Sequence, residues 1–225
     1  MALSGKSEAR VFDGRLIAEG LDIALERAEV SRLALGEADR AVLSGASGVA
    51  AQVAMEIVCL MGVAQGARDL MDVTRGHIDG CILAHSANLI FAEKMAEIGA
   101  KVVIPTTINA ISVDRENWTS QGVEPEFGSR ASRLADAYVA MGAQRTFTCA
   151  PYLLEDRPVR GECVGWSESN AVIYANSVLG ARTPKHPDDL DVCIAMTGRA
   201  AVFQLLPFSR EETDKVSLLS GGSPE

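Results

Sequence analysis

The chain has 225 residues, 48% hydrophobic and 23% charged, enough to bury a core without covalent staples. Its 21 Lys and Arg stand against 30 Asp and Glu, a formal charge of −9, and with no basic run this argues against a nucleic acid partner. No stretch reaches the roughly 18–20 apolar residues that span a bilayer, and the first twenty residues lack an apolar signal core, so no membrane is expected and the cytoplasm is the default compartment.

In chain order, residues 1–38 read as a polar start and an amphipathic helical extension, with Leu16, Ile17, Leu21, Ile23, Leu25, Val30 and Leu33 at helical spacing. A small-residue turn, Ser44-Gly45-Ala46-Ser47-Gly48, leads into a helix over 49–65. A short strand is expected at 70–74, then a polar turn at 75–80, a helix over 88–98 stopped by Gly99, and a β-branched strand at 101–105. Loops surround Trp118. A helix over 129–141 precedes a strand at 145–149 that runs into Pro151. Helices follow over 168–179 and 188–197, and then a strand-like run over 200–206. The alternation predicts a layered α/β domain with a mostly parallel sheet, spanning residues 39–207, and a disordered tail over 208–225.

Polar clusters fall where strands or helices end, which is where such sheets bind ligands. The Ser44–Gly48 amides at a helix start suit an anion, although Gly-Ser turns also serve structure alone. His77-Ile78-Asp79-Gly80-Cys81 puts an imidazole, a carboxylate and a thiol within five residues, which reads equally as acid–base or ligand chemistry and as a capped turn. Thr106, Thr107 and Asn109 follow a buried strand and suit substrate oxygens, or else the strand's own dangling backbone groups. Cys149, between Thr148 and Ala150-Pro151, places a thiol at a sheet edge. Ser169, Asn170, Asn176 and Ser177 interrupt an apolar helix, and Arg182 just beyond it can grip a carboxylate or phosphate with both arms of its guanidinium. The five cysteines form no CxxC pair, so neither a disulfide framework nor a zinc site is indicated. Cys59 and Cys193 lie in apolar helical stretches and read as core.

Taken together these segments resemble the aconitase X family over about residues 40–200. The resemblance rests on Leu43-Ser44-Gly45, Gln52-Val53-Ala54-Met55, His77–Cys81, Lys101–Asn109, Thr148-Cys149-Ala150-Pro151-Tyr152, Glu168–Val172, the run Ala175–Thr183, and Thr197-Gly198-Arg199. It implies an aconitase-like layered α/β/α domain, incomplete relative to the family, and a hydro-lyase that dehydrates a small hydroxylated acid with an iron–sulfur cluster as Lewis acid. Bacterial members resemble cis-3-hydroxy-L-proline dehydratases and archaeal ones the large subunit of a mevalonate 5-phosphate dehydratase; the wording around Cys81 and Cys149 is nearer the bacterial type. By family position Cys149 is the first cluster ligand and Cys81 the second. His77 and Asp79 are the acid–base pair, and Ser44, Thr106, Thr107, Asn109, Ser169, Asn170 and Arg182 surround substrate or cluster. A small swivelling domain or subunit and the family's C-terminal half are the implied partners. The alternative is a non-catalytic remnant or interaction subunit that keeps the fold.

Overall fold

The computed structural model describes residues 33–80 and 86–201. Cys81, most of the 1–38 extension and the whole 208–225 segment lie outside the described residues. Helix α1 (Glu37–Leu43) opens with the Asp39 carboxylate accepting the Gly36 N–H at 3.0 Å. Helix α2 (Val49–Ala64) buries Val53, Ala54, Met55, Val58 and Cys59. Strands β1 (Leu70–Asp72) and β2 (Arg75–Ile78) lead to α3 (Ser86–Glu97), β3 (Thr106–Ile108) and α4 (Pro125–Ala140). A 3-10 turn at Pro151–Leu153 precedes β4 (Val164–Trp166), α5 (Ser169–Tyr174) with a π-helical turn at Ala175–Leu179, α6 (Asp188–Thr197) and β5 (Arg199–Ala201).

Among the described residues the strands form two small sheets. β3, β2 and β4 pair in that order, all parallel, while β1 and β5 pair antiparallel. The α/β class and the parallel sheet agree with the sequence reading, and no helix among the described residues is long and apolar enough to cross a membrane. Helix α6 carries three aspartates in its first turn, but Val192, Cys193, Ile194, Ala195 and Met196 that follow are all buried, because this stretch is sandwiched between α2 and the parallel sheet. Two glycines make that approach feasible. A Cβ on Gly165 would lie 2.6 Å from Ile194 Cγ2, and one on Gly76 would lie 2.9 Å from Thr106 Oγ1 and 3.3 Å from Ala195 Cβ. On the opposite face, Trp166 packs on Ala171 and Ala175 of α5 and its π-helical turn.

Several expected boundaries move. Residues 75–78, read as a polar turn, form the central strand β2, and His77 is fully buried there. The strand expected at 101–105 falls instead at 106–108; Val103 is 64% exposed. β4 was not foreseen. α4 starts at Pro125, not 129, because the Glu124 carboxylate accepts the Glu126 and Phe127 N–H groups at 3.0 and 2.7 Å and caps the earlier turn. The strand expected at 145–149 is an irregular edge. Gln144 N–H bonds Thr106 O, and the Thr146 hydroxyl then takes a backbone's place, donating to Ile108 O at 2.8 Å and accepting Ile108 N–H at 3.0 Å. Phe147 sits at φ +42°, a strained region for an aromatic residue, so the ladder breaks there.

Candidate active site

The strand period of two sorts the predicted residues between the faces of the sheet. Gly76 pairs with Thr106 and Gly165 on the α6 face, and His77 pairs with Thr107 and Trp166 on the other. The adjacent threonines therefore have different work. Thr106 is buried toward α6 and donates to Ile104 O at 2.8 Å, closing its own turn. Thr107 Oγ1 forms a hydrogen bond with His77 Nδ1 at 2.7 Å and lies 3.4 Å from Gly76 O. His77 Nε2 is buried and meets no hydrogen-bonding group among the described residues. Burial lowers the imidazole from its ordinary 6.5 to about 4, so it is neutral at pH 7.

At the carboxyl ends of the same strands, three buried or half-buried groups converge. Asn109, fully buried just past β3, donates from Nδ2 to Asp79 Oδ1 at 3.3 Å and to Glu168 Oε2 at 2.8 Å. Its own Oδ1 accepts the Ala110 N–H at 2.7 Å, which fixes the amide's orientation. One amide thus bridges two carboxylates, from the ends of β2 and β4. The sequence motif Glu168–Val172 contains Glu168 without singling it out; a glutamate between a buried strand and a helix start is the signal that marks it. Behind it, the Ser167 hydroxyl donates to the buried Asp191 carboxylate of α6, and Asp191 Oδ1 stands 3.0 Å from His186 Nδ1, anchoring the turn that carries Glu168.

Cys149 joins this end of the sheet. Its neighbour Thr148 donates N–H to Ile108 O at 3.2 Å, one residue before Asn109, and its own carbonyl accepts Asn170 Nδ2 at 2.7 Å. The thiol is exposed, whereas Cys59 and Cys193 are fully buried. Burial pushes the Cys59 thiol up to about 12 and raises Cys193 as well, which leaves both as packing groups. Cys163 is half-buried and also raised by burial, offset by nearby Arg182. Ser169 and Asn170 are both exposed on the first turn of α5.

Two predicted residues lie elsewhere. Ser44 ends α1, where its hydroxyl donates to Ala41 O at 2.8 Å, and the turn that follows it packs beside residues 98–103 and Thr197, at the amino end of the parallel strands. Arg182 bridges to Cys163 at the start of β4, also away from Asn109. Among the described residues no three His, Cys, Asp or Glu side chains form a metal-holding group. A cluster needs about three cysteine ligands, so Cys149 alone does not fit that role without others from outside the described residues.

A parallel α/β sheet with a bridged carboxylate pair and an exposed thiol at its carboxyl ends defines a polar-ligand site of acid–base character. Residues 32–205 match the family model described as Aconitase X first domain, and the chain belongs to the aconitase X family. It is 58% identical over 74% of its length to a cis-3-hydroxy-L-proline dehydratase of Hypocrea jecorina, and 50% identical over 85% to one of Pseudomonas aeruginosa. It is 35% identical over 76% to a phosphomevalonate dehydratase large subunit of Methanothermobacter thermautotrophicus. A crystal structure of Thermococcus kodakaraensis aconitase X in its holo form superimposes with a TM-score of 0.69 at 30% identity, covering 80% of this chain and 44% of that one. The chain spans 28%, 34% and 43% of the three relatives' own lengths.

Proposed function

We propose that this chain carries the acid–base half of a hydro-lyase site that dehydrates a small hydroxylated acid, with cis-3-hydroxy-L-proline as substrate. The observation that carries the reading is the Asp79–Asn109–Glu168 bridge at the carboxyl ends of the parallel strands. Elimination of water needs a base for the C–H proton and an acid for the departing hydroxyl, and two carboxylates in different surroundings divide those roles. Glu168, half-buried and at the head of α5, is the base that takes the C–H proton; Asp79, more deeply buried, is the acid that gives a proton to the departing hydroxyl, and Asn109 holds both in place. His77, neutral and fixed through Thr107, sits on β2 two residues before Asp79. The preference for hydroxyproline over phosphomevalonate rests on the higher identity to the hydroxyproline dehydratases.

Cys149 is proposed as one ligand of an iron–sulfur cluster, with Cys81 and cysteines of a partner domain or subunit as the others. Such a cluster, when bound, supplies Lewis acidity toward the leaving hydroxyl. The test is anaerobic reconstitution with iron and sulfide, with and without the remaining domains, followed by visible absorption and by assay with cis-3-hydroxy-L-proline and phosphomevalonate. The expected result is water loss from hydroxyproline that falls about 100-fold or more in Glu168→Gln, given the usual size of general acid–base effects. Full activity in Glu168→Gln, or turnover of phosphomevalonate alone, would refute this reading.

A further inference from the structure

Resting on the reading of Cys149 as a functional thiol of the site proposed above, we propose that Phe147 is the residue that aims it. The left-handed backbone of Phe147 breaks the strand alternation and turns the Cys149 thiol out of the sheet edge. In a regular strand residues 147 and 149 share one face. Here they do not. The Phe147 ring is half-buried and packs against the main core, while Cys149 is exposed.

The break shows in the pairing of the edge. Thr146 and Thr148 both lean on Ile108: the Thr146 hydroxyl donates to Ile108 O at 2.8 Å, and the Thr148 N–H donates to the same oxygen at 3.2 Å. Two residues of the edge thus oppose one on β3, the arrangement of a β-bulge, which re-aims the side chains beside it. Phe147, between them at φ +42°, is the one non-glycine residue with a positive φ among the described residues. That conformation is unfavourable for an aromatic residue and persists only where its surroundings hold it. Downstream, the Thr148 hydroxyl accepts the Ala150 N–H at 3.1 Å and the Cys149 carbonyl accepts Asn170 Nδ2 at 2.7 Å, so the chain is fixed on the far side of the break as well.

Arg115 supplies the hold on the ring. Its guanidinium carbon lies over Phe147, 5.9 Å from the ring centroid, within reach of cation–π attraction. Nη2 donates to Asp136 Oδ1 of α4 at 2.7 Å, which fixes the group in place, and Nη1 is buried with no acceptor among the described residues. The electron-rich face of the ring offsets the desolvation of that charge. Arg115 therefore clamps the ring, and the clamped ring keeps residue 147 left-handed.

The test uses the 225-residue chain without iron or sulfide, alkylated by iodoacetamide under native conditions, with Cys149 followed by peptide mass spectrometry. In Phe147→Val the β-branched residue resists a positive φ and the edge straightens, so Cys149 reacts about fivefold or more slowly than in the parent. Phe147→Asn loses the ring but accepts a left-handed backbone, and its Cys149 reacts within about twofold of the parent rate. A role in packing alone predicts the reverse order, because valine is the better apolar replacement. Arg115→Met slows Cys149 about two- to fivefold, and Arg115→Lys, which keeps a cation at the ring, restores it. Parent-like rates in Phe147→Val, or equal slowing in Phe147→Val and Phe147→Asn, overturn the proposal. If Phe147→Val does not fold, the Arg115 pair decides: slowing in Arg115→Met that Arg115→Lys restores supports it, and equal rates in the two overturn it. No cluster is assembled in these measurements, so their failure leaves the dehydratase reading to the reconstitution assay, and failure of that assay leaves these rates unchanged.

Discussion

His77 gives the sharpest test of how the central strand is built. Its imidazole is fully buried, and burial lowers it from 6.5 to about 4. Between those values the unfolded chain binds a proton that the folded chain refuses, so stability rises with pH across this window. The contribution is complete above pH 6.5 and is lost as pH falls toward 4. At about 1.4 kcal/mol per pH unit the full interval amounts to about 3.5 kcal/mol, and a measurement at about pH 4.5 should recover about 2.5 of it. Urea unfolding of the parent and of His77→Asn, at several values from about pH 4.5 to 7.5, isolates this term because the other carboxylates contribute equally to both. Asparagine keeps a polar group near the Nδ1 position for Thr107 but cannot titrate. The parent should lose about 2–3 kcal/mol more than the variant over that range. Parallel curves would mean that the ring charges in place, and a steeper loss in the variant would reverse the assigned sign.

Asn109→Ala removes the amide between Asp79 and Glu168 and also strands the Ala110 N–H. Bonds to charged groups are worth about 1.5–3 kcal/mol each, but the Asp79 contact is long and Glu168 is part-exposed, so a total loss of about 2–4 kcal/mol is expected in thermal or urea unfolding. A change within about 0.5 kcal/mol would remove the bridge from the account. Among the described cysteines, native thiol titration with a disulfide reagent should modify Cys149 first, with Cys59 and Cys193 reacting after denaturation. Cys149→Ser should abolish that early phase; survival of the phase would place the accessible thiol elsewhere.

The sequence was most legible where burial follows a single period. The apolar helices α2 and α6 and the class of the fold could be read from it because each helix hides one face or all of its faces in a contiguous core. β2 could not, and the reason is specific. Arg75-Gly76-His77-Ile78 has the composition of a turn, yet its glycine is there because α6 leaves no room for a side chain, and its histidine is there as a neutral buried ring. Once β2 is a strand, the split of Thr106 from Thr107 follows from alternation alone. The site was legible as a set of strand ends and not as pairings. Asp79 and Asn109 were named separately, but their meeting through Glu168 depends on β4 lying beside β2, and Val164-Gly165-Trp166 carries no alternation from which a strand could be recognised. Ser44 and Arg182 looked as persuasive as Asn109 because a polar residue at an element's end reads the same at either end of a sheet. What separates them is strand direction: the parallel order β3-β2-β4 gathers Asp79, Asn109, Glu168 and Cys149 at the carboxyl edge and leaves Ser44 and Arg182 at the other.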